Sequence, residues 1–468
     1  MNFADIRFWG ILAFSLAAIL IIRAVLVKAT RPDSGGYDRF ALAIMGLVLL
    51  GCVSLQSLGI FVAVSVTTYL GLSLILKTHS SPERRKRWLW LLIPLQLSPL
   101  VFYKYGGFLG NEILGFGSYS LTGVIIPVGI SFYTFQLIAF AVDTLKRSQP
   151  LPDPLTTLNY AGFFPQIVAG PIERREDLLP QLEKFCFRWD KKAVELGLTW
   201  IILGLFFKRC LADNLALMSL IHSGTNPFLV WLDTVMFGFR IYFDFCGYSL
   251  MALGVAQCFG IKLTLNFRSP YCAENIADFW RRWHVTLSSW FRDYIYIPLG
   301  GSRSGFWAAN ILIVFTVSGI WHGAGWNFVI WGAMHGLFLL VYRLPLKVRL
   351  PRPVGFLLTH LSVFLAWLCF YETNTGEVFR KLALLLSPAS YNGSSLQSFF
   401  TALLSSNGFD ACAILAIVAC VIGLEMWSLR KEGEPYRFLR TRGAAVVLVF
   451  VTVILSPISS NYFIYFAF

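Results

Sequence analysis

The stretch SGIWHGAGWNFVIWGAMHG, residues 318–336, decides how the chain reads. It lies where two apolar segments meet, 306–321 and 326–343, each read as a bilayer crossing. His322 sits at the junction. An ionisable side chain at membrane depth is costly and faces a cavity or a partner rather than lipid. Gly319, Gly323, Ala324 and Gly325 surround it and let backbone or a thin substrate come close to the imidazole. Upstream, FWRRWHVTLSSWFRDYIYIPLGG (279–301) carries a second histidine, His284. Two histidines so placed predict acid–base chemistry inside a membrane.

Composition agrees with a membrane setting. Of 468 residues, 56% are hydrophobic, 16% aromatic and only 14% charged, with a mean hydropathy of +0.65. Soluble domains carry about 25% charged residues. A spanning helix needs about 20 mostly apolar residues, and such stretches recur. They are read at 8–28, 40–56, 58–77, 88–106, 121–142, 193–211, 226–245, 306–321, 326–343, 354–371, 411–429 and 443–466. The period-two alternation of a β-barrel is missing. The fold class expected is all-α, integral and polytopic, with about 12 spans. It is read as a single domain, 1–468, with a core at about 121–371, N-terminal spans in 1–120 and C-terminal spans in 372–468.

The net charge of +14 does not call for nucleic acid. The basic residues fall in KTHSSPERRKR (77–87), RLPLKVRLPR (343–352) and RKEGEPYRFLRTR (430–442), between apolar runs, as the positive-inside bias requires. That bias places 29–39, 77–87, 144–192, 262–305, 343–353 and 430–442 in the cytoplasm. The loops 107–120, 212–225 and 372–410 fall outside, as do both termini. Arg7 before the apolar run from Phe8 reads as the start of a retained first helix. The nine cysteines form no C-x-x-C pair, so neither a disulfide framework nor a zinc site is expected.

Three segments are read as irregular. The small-residue piece 246–261 is expected to be re-entrant or half-crossing. NYAGFFPQIVAGPIERREDLLPQL (159–182), punctuated by Pro165, Gly170 and Pro171, reads as a shallow hairpin. From Phe267 to Gly301, Trp280, Trp283, Leu287 and Trp290 recur three or four apart, the pattern of one helix lying at the interface. On that helix Arg281 and Ser288 would flank His284 at i−3 and i+4.

An imidazole with a pKa near neutrality takes a proton from a hydroxyl and returns it, which makes His322 and His284 the candidate catalytic residues. Trp321, Asn327, Arg292, Asp293, Tyr294 and His335 are candidates for the substrate path or for structural support. Arg292 and Asp293 read as a structural ion pair, and His335 as packing or a hydrogen-bond partner. His79, His222 and His360 receive no role. No G-x-S-x-G elbow, phosphate loop or H-E-x-x-H is present, nor a histidine with an aspartate five residues on. No metal and no permanently bound cofactor is expected.

At these residues the chain resembles the membrane-bound O-acyltransferases, in the bacterial branch that acylates alginate and teichoic acid. The resemblance is carried by FFPQIVAGPIERREDLLPQL (163–182), YFDFCGYSLMALGVAQCFGIKLTLNFRSPY (242–271), DFWRRWHVTLSSWFRDYIYIPLGGSR (278–303), the 318–336 stretch and NYFIYFAF (461–468). It implies that the family's W-H-G histidine is His322 and that the upstream histidine of its F-W-x-x-W-H block is His284. It implies a ring of tilted helices, with re-entrant and interfacial pieces, around a central tunnel. It also implies acetyl-CoA as donor and an exported polysaccharide, of alginate or cellulose type, as acceptor. The membrane is then the bacterial inner membrane. The partners implied are membrane lipid, a periplasmic esterase-like acetyltransferase and a polysaccharide synthase or secretion complex. The family's D-F-S-G-Y-S-D-M-A reads D-F-C-G-Y-S-L-M-A here, with Cys246 and Leu250, so no carboxylate is available at 250. Two other readings belong to different classes: a proton-coupled transporter or flippase for a lipid-linked sugar, and a non-catalytic scaffold of a secretion complex.

Overall fold

The computed structural model describes residues 3–30, 34–117, 125–218, 224–344 and 351–458, and all regular structure among them is helical. By contact the chain falls into two compact units, Met1–Ile201 with Met251–Thr264, and Ile202–Leu250 with Leu265–Phe468.

The first unit opens on α1 (Ile6–Thr30), α2 (Ser34–Val53) and α3 (Leu55–Thr78). All three are long and apolar enough to cross a membrane. Their outward faces are apolar, with Phe14, Ile21, Leu70 and Leu74 exposed, while Asp38 is buried and paired with Arg23 at 2.9 Å. Apolar surface outside and paired charge inside is the arrangement lipid demands. The apolar run expected at 88–106 is not one regular span. It forms α4 (Leu89–Leu100), with Pro94 and Pro99 inside it, and then widens into π turns at Val101–Tyr105 and Leu109–Ile113. Proline removes a ladder donor and crowds the preceding turn, which loosens the helix there.

Next come α5 (Ile130–Leu145), α6 (Pro154–Ala161) and α7 (Arg175–Glu183). The apolar half of the 159–182 stretch is buried in protein: Phe163, Phe164, Ile167 and Val168 are all core residues. Arg175 closes this region, donating to Thr144 Oγ1 at 2.6 Å and lying 4.7 Å over the Phe140 ring. α8 (Lys191–Leu205) then leads through a π turn at Phe206–Ala212.

One expectation is corrected at α9. The stretch read as a span at 226–245 followed by a re-entrant piece is a single helix, Pro227–Cys258, of 32 residues, about 48 Å long at 1.5 Å per residue. The small residues that suggested a break serve close packing. A Cβ at Gly254 would lie 2.5 Å from the Gly197 carbonyl oxygen, and one at Gly247 2.7 Å from that of Gly204.

A second correction follows. The interfacial helix read across Trp280 to Trp290 is two short helices, α10 (Ile276–Arg282) and α11 (Val285–Phe291), broken at His284. His284 has φ +43°, a left-handed conformation that no residue of a continuous helix adopts. Arg281 is therefore not its helical neighbour, while the Ser288 amide still donates to the His284 carbonyl at 3.0 Å as the first bond of α11.

The chain continues through α12 (Trp307–His322), α13 (Trp326–Arg343) and α14 (Arg352–Tyr371). The stretch 372–410, read as a loop, holds α15 (Thr375–Leu386) and α16 (Gly393–Leu403). Asn374 caps the first and an Asn392–Ser395 capping box starts the second, satisfying backbone donors that would otherwise be orphaned. The last helices are α17 (Ser406–Glu432) and α18 (Arg442–Leu455). With α1, α2, α3 and α14, α17 makes five helices that meet the length and hydropathy of a crossing. α5, α12 and α18 are apolar but shorter. The ends of the expected spans at 121–142 and 443–466, His222 and the terminal NYFIYFAF lie outside the described residues.

Candidate functional site

His322 ends α12, and the extended residues Gly323 and Gly325 turn the chain into α13. The glycines here serve backbone packing. A Cβ at Gly319 would sit 2.2 Å from the Phe328 carbonyl oxygen, and one at Gly332 2.3 Å from that of Phe315, so the two helices touch backbone to backbone. The His322 imidazole is buried among rings, 5.0 Å from Trp331 and 5.4 Å from Phe370, both edge-on. Asn327, the second residue of α13, donates to the Cys369 carbonyl at 3.1 Å and ties this hairpin to α14.

His284 is held differently. Its Nδ1 lies 3.1 Å from Asn266 Oδ1. That oxygen also accepts from the Thr286 hydroxyl at 2.9 Å and the Thr286 amide at 3.3 Å. A side-chain amide oxygen carries no proton and only accepts, so Nδ1 carries the proton and Nε2 is the basic nitrogen. The backbone repeats the pairing: Val285 donates to the Asn266 carbonyl, and Arg268 to that of Arg282, both at 2.9 Å. Burial pushes the imidazole down to about 3, so it is neutral at physiological pH.

Trp321 joins the two histidines. Its ring centroid is 6.0 Å from His284 and 5.0 Å from His322. On the other side of His322, Trp331 stands 4.8 Å from His335. His335 is fully buried, and Trp280 closes over it at 4.9 Å. The sequence read His335 as packing or a hydrogen-bond partner; aromatic rings surround it.

Trp280 is also a wall of a cavity of about 540 Å³, whose lining includes Arg268, Arg281, Arg292, Arg343 and Ser318. Ser318 is one helical turn before His322. Arg281 and Arg292 face acids, Asp278 at 3.6 Å and Asp293 at 2.8 Å. Arg268 and Arg343 have no ion-pair partner among the described residues. The cavity lining thus combines four arginines with apolar side chains such as Val285, Leu287, Ile311 and Val314. Tyr294, on the same π turn as Asp293, lies 5.3 Å from Trp290 with the rings tilted. The Arg292–Asp293 contact is the local ion pair the sequence suggested.

Sequence reasoning did not find Asn266, Thr286, Trp331 or Phe370, which set the two imidazoles. Nothing at the level of spacing marks Asn266, eighteen residues before its histidine. It also passed over Asp244 of the D-F-C-G-Y-S block. That carboxylate is buried against Lys208 at 2.6 Å, and Lys208 reaches Asp213 at 2.9 Å. Arg209 also reaches Asp213 at 2.9 Å, so two cations face two carboxylates where an isolated charge would be costly.

A helical, lipid-facing fold with polar chemistry confined to its interior defines an integral membrane protein. The membrane-bound O-acyltransferase family model matches residues 143–371, which include every candidate residue from Asn266 to Phe370. The chain is 32% identical to a peptidoglycan O-acetyltransferase of Helicobacter pylori, over 84% of this chain and 85% of that protein. It is 33% identical to a probable alginate O-acetylase of Azotobacter vinelandii, over 79% and 76%. It is also 33% identical to a teichoic acid D-alanyltransferase of Bacillus subtilis, over 46% and 58%. The chain belongs to the membrane-bound O-acyltransferase family. It is an O-acyltransferase.

Proposed function

We propose that the protein takes an acetyl group from acetyl-CoA on the cytoplasmic face of a bacterial inner membrane and passes it outward for O-acetylation of an exported polysaccharide. One observation carries this reading: Trp321 touches both buried imidazoles, and Ser318, a turn away from His322, lines an arginine-edged cavity. Coenzyme A is a polyanion with a thin thioester arm. Its phosphates suit Arg268, Arg281, Arg292 and Arg343, and the arm suits the apolar interior.

In the reaction, His322 removes the proton from an acceptor hydroxyl. The oxygen attacks the thioester carbonyl carbon, the C–S bond breaks, and the thiolate leaves with the proton carried by the imidazolium. His284, with its tautomer fixed by Asn266, orients the donor or takes part in proton transfer from the cytoplasmic side. With α4, α8, α9 and α13, the three shorter apolar helices extend the five long ones to about twelve crossings.

The acceptor is a polysaccharide of alginate or cellulose type, in keeping with relatives named for alginate, peptidoglycan and teichoic acid. A periplasmic esterase-like protein, working with the polymer's synthase complex, finishes the transfer. The outer loop 372–410 holds only two short helices, below the roughly 50 residues at which independent domains begin. The test is reconstitution in liposomes with acetyl-CoA inside and polymer outside. Thiol release inside and polymer acetylation only with the partner present are expected. Full acetylation by this chain alone would defeat the relay.

A further inference from the structure

Glu425 lies on α17 and is fully buried. It is an intramembrane carboxyl with no Lys or Arg partner among the described residues. Such a group is expensive and is kept for a purpose. Its partners are hydroxyls. Tyr242 of α9 reaches both carboxyl oxygens at 3.0 Å, and Tyr242 and Tyr436 share a hydrogen bond at 3.0 Å. Cys246, at the place where the family pattern has serine, lies 3.5 Å from the Tyr436 hydroxyl.

The Tyr436 hydroxyl then grips backbone. It accepts from the Ser269 amide at 3.3 Å, and its single proton is shared between the Tyr242 hydroxyl and the Phe267 carbonyl at 3.2 Å. Phe267 follows Asn266, the residue that fixes the His284 tautomer. Ser269 and His284 are two of only three described non-glycine residues with positive φ, at +50° and +43°. Backbone of that kind persists where its surroundings over-determine it, and it gathers at functional sites. Here both residues belong to two backbone segments that bond to each other at Asn266–Val285 and Arg268–Arg282.

We propose that Glu425 is a positioning residue for His284: through Tyr242 and Tyr436 it pins the 266–269 segment, and so holds Asn266 against the imidazole. The transmitted quantity is geometry rather than charge, since the network ends on a carbonyl and an amide. The catalytic consequence rests on the role proposed for His284, while the positioning itself does not.

The experiment compares Glu425→Leu, Glu425→Gln and Tyr436→Phe in full-length purified protein. Each is assayed for acetyl-CoA thioester turnover and for diethylpyrocarbonate modification of His284, read by mass spectrometry. Glutamine keeps an oxygen that accepts from Tyr242, whereas leucine keeps none. The expected result is a fall in kcat of tenfold or more for Glu425→Leu and Tyr436→Phe with KM little changed. His284 should become reactive in both. Glu425→Gln should stay within about threefold of the parent, with His284 protected. If Glu425→Leu does not accumulate, Tyr436→Phe carries the test, since it removes one hydroxyl and keeps the ring. A protected His284 in Tyr436→Phe, or equal loss in Glu425→Gln and Glu425→Leu, overturns the proposal. A reactive His284 with unchanged turnover leaves the positioning standing and removes His284 from the chemistry.

Discussion

The two candidate histidines are held by opposite means. His322 closes a regular helix and is fixed by packing: glycine contacts bring α12 against α13, and rings from α13 and α14 surround the imidazole. His284 stands in a break between two short helices and is fixed by hydrogen bonds, with Asn266 accepting from its ring and from Thr286. Packing tolerates change in chemistry and punishes change in volume. A hydrogen-bonded centre tolerates volume and punishes the loss of a single polar atom. The two residues should therefore answer differently to the same kinds of substitution.

The largest effect is expected at His322 itself. His322→Ala should lower polysaccharide O-acetylation in cells by roughly 10²–10⁴-fold, the usual cost of losing a general base, while the protein accumulates normally. Acetylation near the parent level would remove His322 from catalysis. At His284 the sharper probe is its anchor. Asn266→Ala strands the Nδ1 proton and the Thr286 donors, each costing about 1–3 kcal/mol when buried. We expect turnover to fall at least tenfold and the midpoint of unfolding to drop. Asn266→Asp, which keeps the accepting oxygen, should recover much of the loss.

Two smaller effects refine the comparison. A left-handed backbone costs an L-residue roughly 1–2 kcal/mol and glycine almost nothing. His284→Gly should consequently unfold at a higher temperature than His284→Ala, although both lack the imidazole. Equal midpoints would mean that the backbone at 284 carries no strain. Glu173 offers the weakest and most local test of polar anchoring. It is buried and accepts from the Thr264 amide at 2.5 Å and the Thr264 hydroxyl at 2.9 Å. Burial raises its carboxyl to about 7. A raised value means that its contribution is fully present below the ordinary carboxyl range and fades as pH rises through about 7. Glu173→Gln should flatten the fall in thermal stability between pH 5 and 8; an unchanged slope would place the titration elsewhere.

What the sequence revealed of these two regions follows from how each is held. His322 was legible because it interrupts an apolar run, and its glycines announced close approach, here of backbone to backbone. His284 was legible as a residue, but its setting was not. Trp280, Trp283, Leu287 and Trp290 keep helical spacing straight through the break, and nothing local marks the left-handed turn. Asn266 and Tyr436 act through bonds made only when distant segments meet. The small residues of 246–261 misled for a related reason. Glycine signals either a break or a tight crossing, and only the partner helix tells which. Asn374 and Asn392 are cap residues visible in the sequence, and reading them would have placed helices in the 372–410 loop.

The central claim is that acyl transfer occurs at His322. Purified protein in sealed liposomes, with acetyl-CoA inside and the acceptor polymer and periplasmic partner outside, allows the release of free thiol to be followed for the parent and for His322→Ala. The account predicts steady thiol release by the parent and at least a hundredfold less by His322→Ala at equal protein. Thiol release that is unchanged in His322→Ala would contradict it.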